Sequence, residues 1–365
     1  MKIIQIVPRL PPAIDGIGDY AINLATQLRD QFEIETHFIV GDPQWQNEKE
    51  VDGFEITKVS RNSASALLSV LEDKAQATTI LLHYVGYGYA RRGCPVWLVK
   101  GLQAWKNRQF SRRLLTMFHE INATGPPWTS AFWLSWQQTY LSTSLAKMSE
   151  SVLTSKEQYA SFLEELSGEK HKKIPHFPVF SGPGEPQQVL PLKERKKRLV
   201  VFGGKANRLR VYETTWQELS FTCKQFGIEE VWDIGQETGL SLSAVDGIPI
   251  FEKGRLSKIQ ISQILSDSII GFLDYNPEYL AKSSIFAAYC AHGVCPVNVK
   301  EFSLPIDDIE ARKHYWVANQ EVTNTMQIQA IADNAYAWYS SHNLARQTET
   351  FAAVISGNLS SKVKK

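Results

Sequence analysis

The strongest constraint on this chain is the alternation of short apolar runs with helical repeats, established within its first residues. Lys2–Val7 is an isoleucine-rich run of the kind buried on both faces of a parallel sheet. A proline-bearing loop, residues 8–15, follows, and then Gly16–Ile17–Gly18 opens a segment in which Ile17, Tyr20, Ala21, Leu24 and Leu28 recur at helical spacing. Residues 32–40 form a second apolar run, closed by Gly41–Asp42. A strand, a helix and a strand in so short a span predict a βαβ unit and a parallel sheet.

The alternation continues. Strands are predicted at 54–59, 79–84, 114–118 and 151–154, and helices at 64–72, 96–110, 128–146 and 156–166. Near residues 174–198 the character changes: Pro175, Pro178, Gly182, Pro183, Gly184 and Pro186 cluster there, and the charge run 193–198 closes the stretch. A second series then begins, with strands at 199–202, 230–234, 248–252, 269–273 and 295–299. Its helices fall at 211–226, 257–265, 283–291 and 326–355, the last bending near Ser340–His342. The predicted fold is α/β, two Rossmann-like domains at 1–180 and 199–340, a linker at 181–198 and a terminal helix at 341–365. Disorder is expected only from Ser360 onward.

Composition excludes several classes. A net charge of +1 supplies no long-range field for nucleic acid, although a local basic patch still suits phosphate. The four cysteines form no CxxC pair and no histidine pair completes a zinc pattern, so reduced thiols and no metal are expected. The apolar start is too short for a signal peptide, and no run approaches the roughly 20 apolar residues that span a bilayer. The expected location is the cytoplasm.

Several sets of residues carry candidate chemistry. Helix amino ends bind anions through free N–H groups and the helix dipole. Gly16 and Gly18 therefore read as a phosphate contact, as a plain turn, or, with Ala21 and Asp42, as a dinucleotide fingerprint. The eight-residue loop 8–15 argues against the last, whose turn is tight on its strand. Gly203–Gly204–Lys205, followed by Arg208 and Arg210, hands a strand to a helix on the carboxyl edge where ligands of open α/β sheets bind. Lys282 with Ser283 makes a second anion site, and Asp274, Tyr275 and Glu278 on the loop before it suit ribose or sugar hydroxyls. His83–Tyr84 and His119–Glu120 end two strands of the first half and face the same edge. In the helix near 128–146, Trp128, Phe132, Trp136 and Tyr140 share one side, which reads first as core packing and second as a platform for a sugar ring. The helix before it mixes Lys100, Lys106 and Arg108 with Trp97, Leu102 and Trp105, a pattern that suits either a solvated face or a membrane surface.

The first strand with its proline loop and Gly16–Ile17–Gly18–Asp19–Tyr20–Ala21, the pair His119–Glu120, and the segment 280–297 (LAKSSIFAAYCAHGVCPV) together resemble glycosyltransferases of the GT-B fold, within them family 4. The resemblance implies two Rossmann-like domains facing across a cleft and a terminal helix that returns to the first. It implies transfer of a sugar from a UDP- or GDP-linked donor to a glycan, lipid-linked or small-molecule acceptor. Retention of configuration and a mechanism without metal or cofactor are further implications. Carried onto this chain, His119 and Glu120 are the catalytic candidates. Gly16, Gly18, Gly204, Lys205, Arg208, Asp274, Glu278, Lys282 and Ser283 are the donor contacts. Asp19, His83 and Tyr84 are the acceptor contacts. One departure stands out: where many relatives carry two glutamates, this chain has Leu280 and Ala288. The alternatives are an NAD(P)-dependent oxidoreductase and a non-catalytic sugar-nucleotide-binding protein. No nucleic-acid partner is expected, and contact with the inner membrane surface fits a lipid-linked acceptor.

Overall fold

The structure is a computed structural model that describes residues 1–13, 15–46, 49–74, 77–168, 170–321 and 326–358; the tail expected to be disordered, from Ser360, lies outside them. The chain divides into two compact units, Met1–Phe177 with Leu344–Lys365, and Pro178–Asn343.

The first unit runs β1 (Lys2–Val7), α1 (Gly16–Phe32), β2 (Glu35–Val40), β3 (Glu50–Val51), β4 (Phe54–Lys58), α2 (Ala64–Glu72), β5 (Thr79–Tyr84), α3 (Gly86–Tyr89), α4 (Val96–Lys106), β6 (Arg113–Phe118), α5 (Ser130–Met148), β7 (Ser151–Thr154) and α6 (Glu157–Leu166). Its sheet has the order β3-β4-β2-β1-β5-β6-β7, parallel except for the β3–β4 pair. The buried side chains of Ile3, Ile4, Ile6 and Val7 explain why β1 sits at its centre. The order reverses between β1 and β5, so the loops leaving those strands diverge and open a crevice at their carboxyl ends. Gly18 is required for packing: a Cβ there would lie 2.3 Å from the carbonyl oxygen of Arg9, so only glycine lets the proline loop fold back on α1.

The second unit runs β8 (Lys196–Phe202), α7 (Lys205–Thr214), α8 (Trp216–Gln225), β9 (Glu230–Ile234), β10 (Ala244–Val245), β11 (Ile248–Gly254), α9 (Lys258–Ser266), β12 (Ser268–Leu273), α10 (Ser284–Ala291), β13 (Cys295–Asn298), β14 (Trp316–Val317) and α11 (Met326–Ser340). Its sheet, β10-β11-β9-β8-β12-β13-β14, repeats the plan of the first, and its order reverses between β8 and β12. The last helix, α12 (Leu344–Ser356), belongs to the first unit, where its Gln347 accepts a hydrogen bond from the Tyr20 hydroxyl of α1 at 3.0 Å.

Three elements differ from their sequence patterns. The helix expected at 211–226 is two helices, broken at Thr215, and the first begins at Lys205. Residues 205–210 carry only Ala206 and Leu209 as apolar residues, so no sustained apolar repeat betrays that first turn. Part of the charge run 193–198, expected as linker, is strand: Arg198 is buried in β8, ion-paired with Glu230 at 2.7 Å and stacked 3.6 Å over Trp232. The aromatic side of α5, read first as core, faces solvent. Trp128, Phe132, Trp136 and Tyr140 are 83, 47, 71 and 66% exposed, and the neighbouring Trp133 is 66% exposed, whereas Leu141, Ser142, Leu145 and Ala146 form the buried side.

Candidate functional site

In the second unit Val201 of β8 pairs with Phe272 of β12, so the turns that follow these strands leave the sheet side by side. Gly203 adopts φ +128°, and a Cβ there would lie 2.4 Å from the Ile285 side chain. The β8–α7 turn therefore lies directly against the first turn of α10. Gly204 is the N-cap of α7, and no side chain caps that helix. Its amino end carries the exposed Lys205 as first residue. Across the turn, the Ser283 hydroxyl caps α10 by accepting from the Phe286 N–H at 3.2 Å. Lys282 precedes it, half-buried, its Nζ 5.8 Å from the centre of the Tyr279 ring. Asp274, the buried residue that follows β12, lies 2.9 Å from Lys300 Nζ and 3.6 Å from Arg210 Nε. Glu278 is exposed and held by Asn276, whose Nδ2 donates to its carboxylate at 3.2 Å. Two functional candidates escaped sequence reasoning. Lys300 is one. The other is Asn298, whose amide accepts from the Tyr275 N–H at 3.0 Å and donates to the carbonyls of Tyr275 and Lys300 at 3.1 and 2.8 Å. The available signal was an asparagine ending the apolar run CPVN.

Arg208 lies elsewhere than its sequence position suggested. It is 1% exposed and turns under the glycine turn. Its Nε donates to the Gly203 carbonyl at 2.9 Å, and its terminal nitrogens donate to the Asp233 carboxylate and the Gln236 carbonyl. The other Asp233 oxygen accepts from the Tyr212 hydroxyl at 2.8 Å. Burial pushes the Asp233 carboxyl above the ordinary range, against the pull of Arg208. Arg208 thus braces the turn from inside. Leu280 and Ala288, which stand where the resemblance led to acids being expected, are fully buried among apolar residues of this unit.

In the first unit the amino end of α1 is already occupied. The Asp15 carboxylate accepts from the Ile17 and Gly18 N–H groups at 2.8 and 3.2 Å. Asp19, half-buried, donates its own N–H to the Asp15 carbonyl at 3.0 Å. Asp42 is ion-paired with Arg9 at 2.7 Å. At the ends of β5 and β6, His83 and His119 form a buried, stacked pair with ring centres 5.4 Å apart. Gln5 Oε1 accepts from His83 Nε2–H at 2.8 Å while the Gln5 amide donates to Thr36 Oγ1 at 3.1 Å. His83 Nδ1 is then the acceptor for His119 Nε2–H at 3.1 Å, which sets the tautomer of both rings. Tyr20 meets both rings edge-on, with centroids 5.8 and 5.1 Å away. Glu120 follows His119 and is half-buried. Tyr84 is corrected to a core residue: successive strand residues face opposite sides, so it packs edge-on with Phe118 at 5.4 Å on the side away from His83.

Burial pulls the His83 imidazole down to about 3, and His292 and His342 of the second unit down to about 4 and 3. An unfolded histidine takes up its proton near pH 6.5, whereas these stay neutral in the fold. Their stabilisation is therefore complete above pH 6.5 and is lost as the pH falls toward 3–4, by about 1.4 kcal/mol per pH unit for each. Denaturant midpoints measured between pH 7.5 and 4.5 should fall steeply, and His83→Gln should flatten that dependence for the first unit.

Among the described residues no helix is long and apolar enough to cross a membrane, no three His, Cys, Asp or Glu side chains gather as a metal site, and all four cysteines are unpaired. No protein-family model matches the chain, and no curated protein matches it in sequence. Solved structures do match its fold. The pneumococcal O-GlcNAc transferase GtfA, in complex with UDP and GlcNAc, is 9% identical, with a TM-score of 0.61 over 99% of each chain. A UDP-N-acetylglucosamine 2-epimerase described as putative, from Listeria monocytogenes, is 10% identical, with a TM-score of 0.59 over 99% of this chain and 97% of that one. An alpha-glucosyltransferase in complex with UDP and a 13-mer DNA is 9% identical, with a TM-score of 0.58 over 97% of this chain and 99% of that one. At such identities the likeness defines the fold, which is that of GT-B enzymes: two Rossmann-like α/β domains, each built on a mixed seven-stranded sheet.

Proposed function

We propose that the chain is a glycosyltransferase, similar to family 4, that takes a sugar from a UDP- or GDP-linked donor. The observation that carries this is the switch point of the second unit, where the uncapped amino end of α7 and Lys205 adjoin the amino end of α10 and Lys282. Helix dipoles and two lysines match a diphosphate, and they stabilise the charge that develops on the leaving nucleotide without a metal or cofactor. Asp274, held by Lys300 and Arg210, and Glu278 stand in for the missing acids toward ribose and sugar hydroxyls. In the first unit His119, its tautomer set by His83, serves the transferred sugar, and Glu120 moves the proton of the acceptor hydroxyl. The acceptor is a glycan, a small molecule or a lipid-linked sugar, with Asp19 and His83 on its side. Retention of configuration is part of the proposal.

Two observations weigh against a dinucleotide enzyme. The α1 amides that would take a pyrophosphate hold Asp15, and the acid placed for ribose, Asp42, is paired with Arg9. UDP or GDP at about 100 times its dissociation constant should stabilise the protein by about 2.7 kcal/mol, read as a rise in melting temperature. Stabilisation by NAD and by neither nucleoside diphosphate would overturn the assignment. Product analysis by NMR with the winning donor then separates transfer from epimerisation, which the same fold also supports, and from binding without turnover.

A further inference from the structure

The first unit carries a surface that sugar-nucleotide chemistry does not use. Pro126–Pro127 and then Trp128 lead into Thr129, which caps α5 by accepting from the Phe132 N–H. This sets Trp128, Trp133, Trp136 and Tyr140 in solvent beside one another. Exposed aromatics at this density are unusual on a soluble face. Their surroundings are cationic: residues 77–149 contain eight Lys and Arg and a single acid, Glu120. Lys106, Arg108 and Arg112 are paired with Glu150 and Glu72. Arg91, Arg92, Lys100 and Lys147 are exposed and have no acidic partner among the described residues. They lie close to α5: Gln138 of α5 donates to the Arg92 carbonyl at 3.1 Å. Lys100 and Lys147 line a cavity of about 400 Å³ between α4 and α5, together with Val96, Val99, Tyr140 and Leu141.

We propose that this face docks the protein on an anionic lipid surface, the aromatics entering the interfacial layer and the four unpaired cations meeting lipid headgroups. Trp and Tyr favour the membrane–water interface, and cations beside them add attraction to anionic lipid. Charge decides among occupants. A second copy joined through this face would bring like charges together. Single-stranded nucleic acid calls for a groove that tracks its backbone, whereas these rings share the outer side of one helix.

The test is co-sedimentation of the nucleotide-free protein with vesicles of phosphatidylcholine alone and of phosphatidylcholine mixed with phosphatidylglycerol. Binding is expected to the mixed vesicles, with a blue shift of tryptophan emission and release by added salt. Trp128→Ser/Trp136→Ser and Lys100→Glu/Lys147→Glu should each weaken binding about tenfold or more, with the thermal response to UDP or GDP unchanged. Failure to bind the mixed vesicles, or binding that both variants leave intact, would overturn the proposal. So would tighter binding to single-stranded DNA, or a wild-type dimer that the tryptophan variant dissociates. Because no nucleotide is present, none of these outcomes bears on the transferase assignment.

Discussion

Asp233→Ala should destabilise the second unit by about 3–5 kcal/mol, the cost of leaving a buried guanidinium without its partner. Arg208 is 1% exposed and the Asp233 side chain 2%, so water cannot replace the carboxylate. The Tyr212 hydroxyl loses its acceptor as well. The expected readout is a large drop in the melting temperature or denaturant midpoint. Arg208→Leu/Asp233→Leu, which removes both charges, should recover a substantial part of the loss, because the main penalty is the orphaned charge rather than the missing attraction. A single variant as stable as the wild type would show that Arg208 reaches water and is free to serve a ligand. The same geometry makes Arg208→Ala a poor probe of phosphate binding. It would disturb the Gly203 turn, which the Arg208 Nε holds at 2.9 Å, whatever its effect on a donor.

Lys205→Ala is the cleaner probe, since the side chain is exposed and its loss leaves the core untouched. A charge-assisted hydrogen bond to phosphate contributes about 1.5–3 kcal/mol, so calorimetric affinity for UDP or GDP should fall about 10- to 100-fold. Lys205→Ala/Lys282→Ala should lose more, with the melting temperature of the free protein nearly unchanged. Unaltered affinity in the double variant would place the diphosphate away from the β8–β12 switch point. Asp15→Ala provides the contrast. It frees the Ile17 and Gly18 amides and costs about 1 kcal/mol of helix capping, so any gain in nucleotide affinity would mark α1 as a second phosphate contact.

The architecture was legible because buried parallel strands are written as apolar runs and covering helices as 3.6-residue repeats. The alternation from Lys2–Val7 to Cys295–Asn298 therefore predicts two wound sheets before any contact is known. Strand ends and glycine turns are visible as punctuation too, whereas the strand order, and with it the switch points at β1–β5 and β8–β12, came from the pairing of the strands. The elements that were misread share a cause. In α7, Lys205 to Arg210 have no apolar stripe, because Arg208 turns beneath this first part of the helix and the core contacts, Val211 and Tyr212, come only after it. In β8, Arg198 reads as linker because nothing local announces that Glu230 and Trp232 will bury it.

Which side chains were available for chemistry was a separate matter. Sequence alone determined that Gly203–Gly204–Lys205, Asp274, Lys282 and the two strand-end histidines stand at carboxyl edges, because edge placement depends only on the order of elements. Tertiary structure alone decided that Lys205 faces solvent while Arg208 is spent on Asp233. It also decided that Asp15 fills the amino end of α1, that His83 sets the tautomer of His119, and that the aromatic side of α5 points outward. The physical reason is the same in each case. Burial and partnership are set by residues distant in the chain, and a helical stripe of aromatic rings looks identical in sequence whether a neighbouring element covers it or water does.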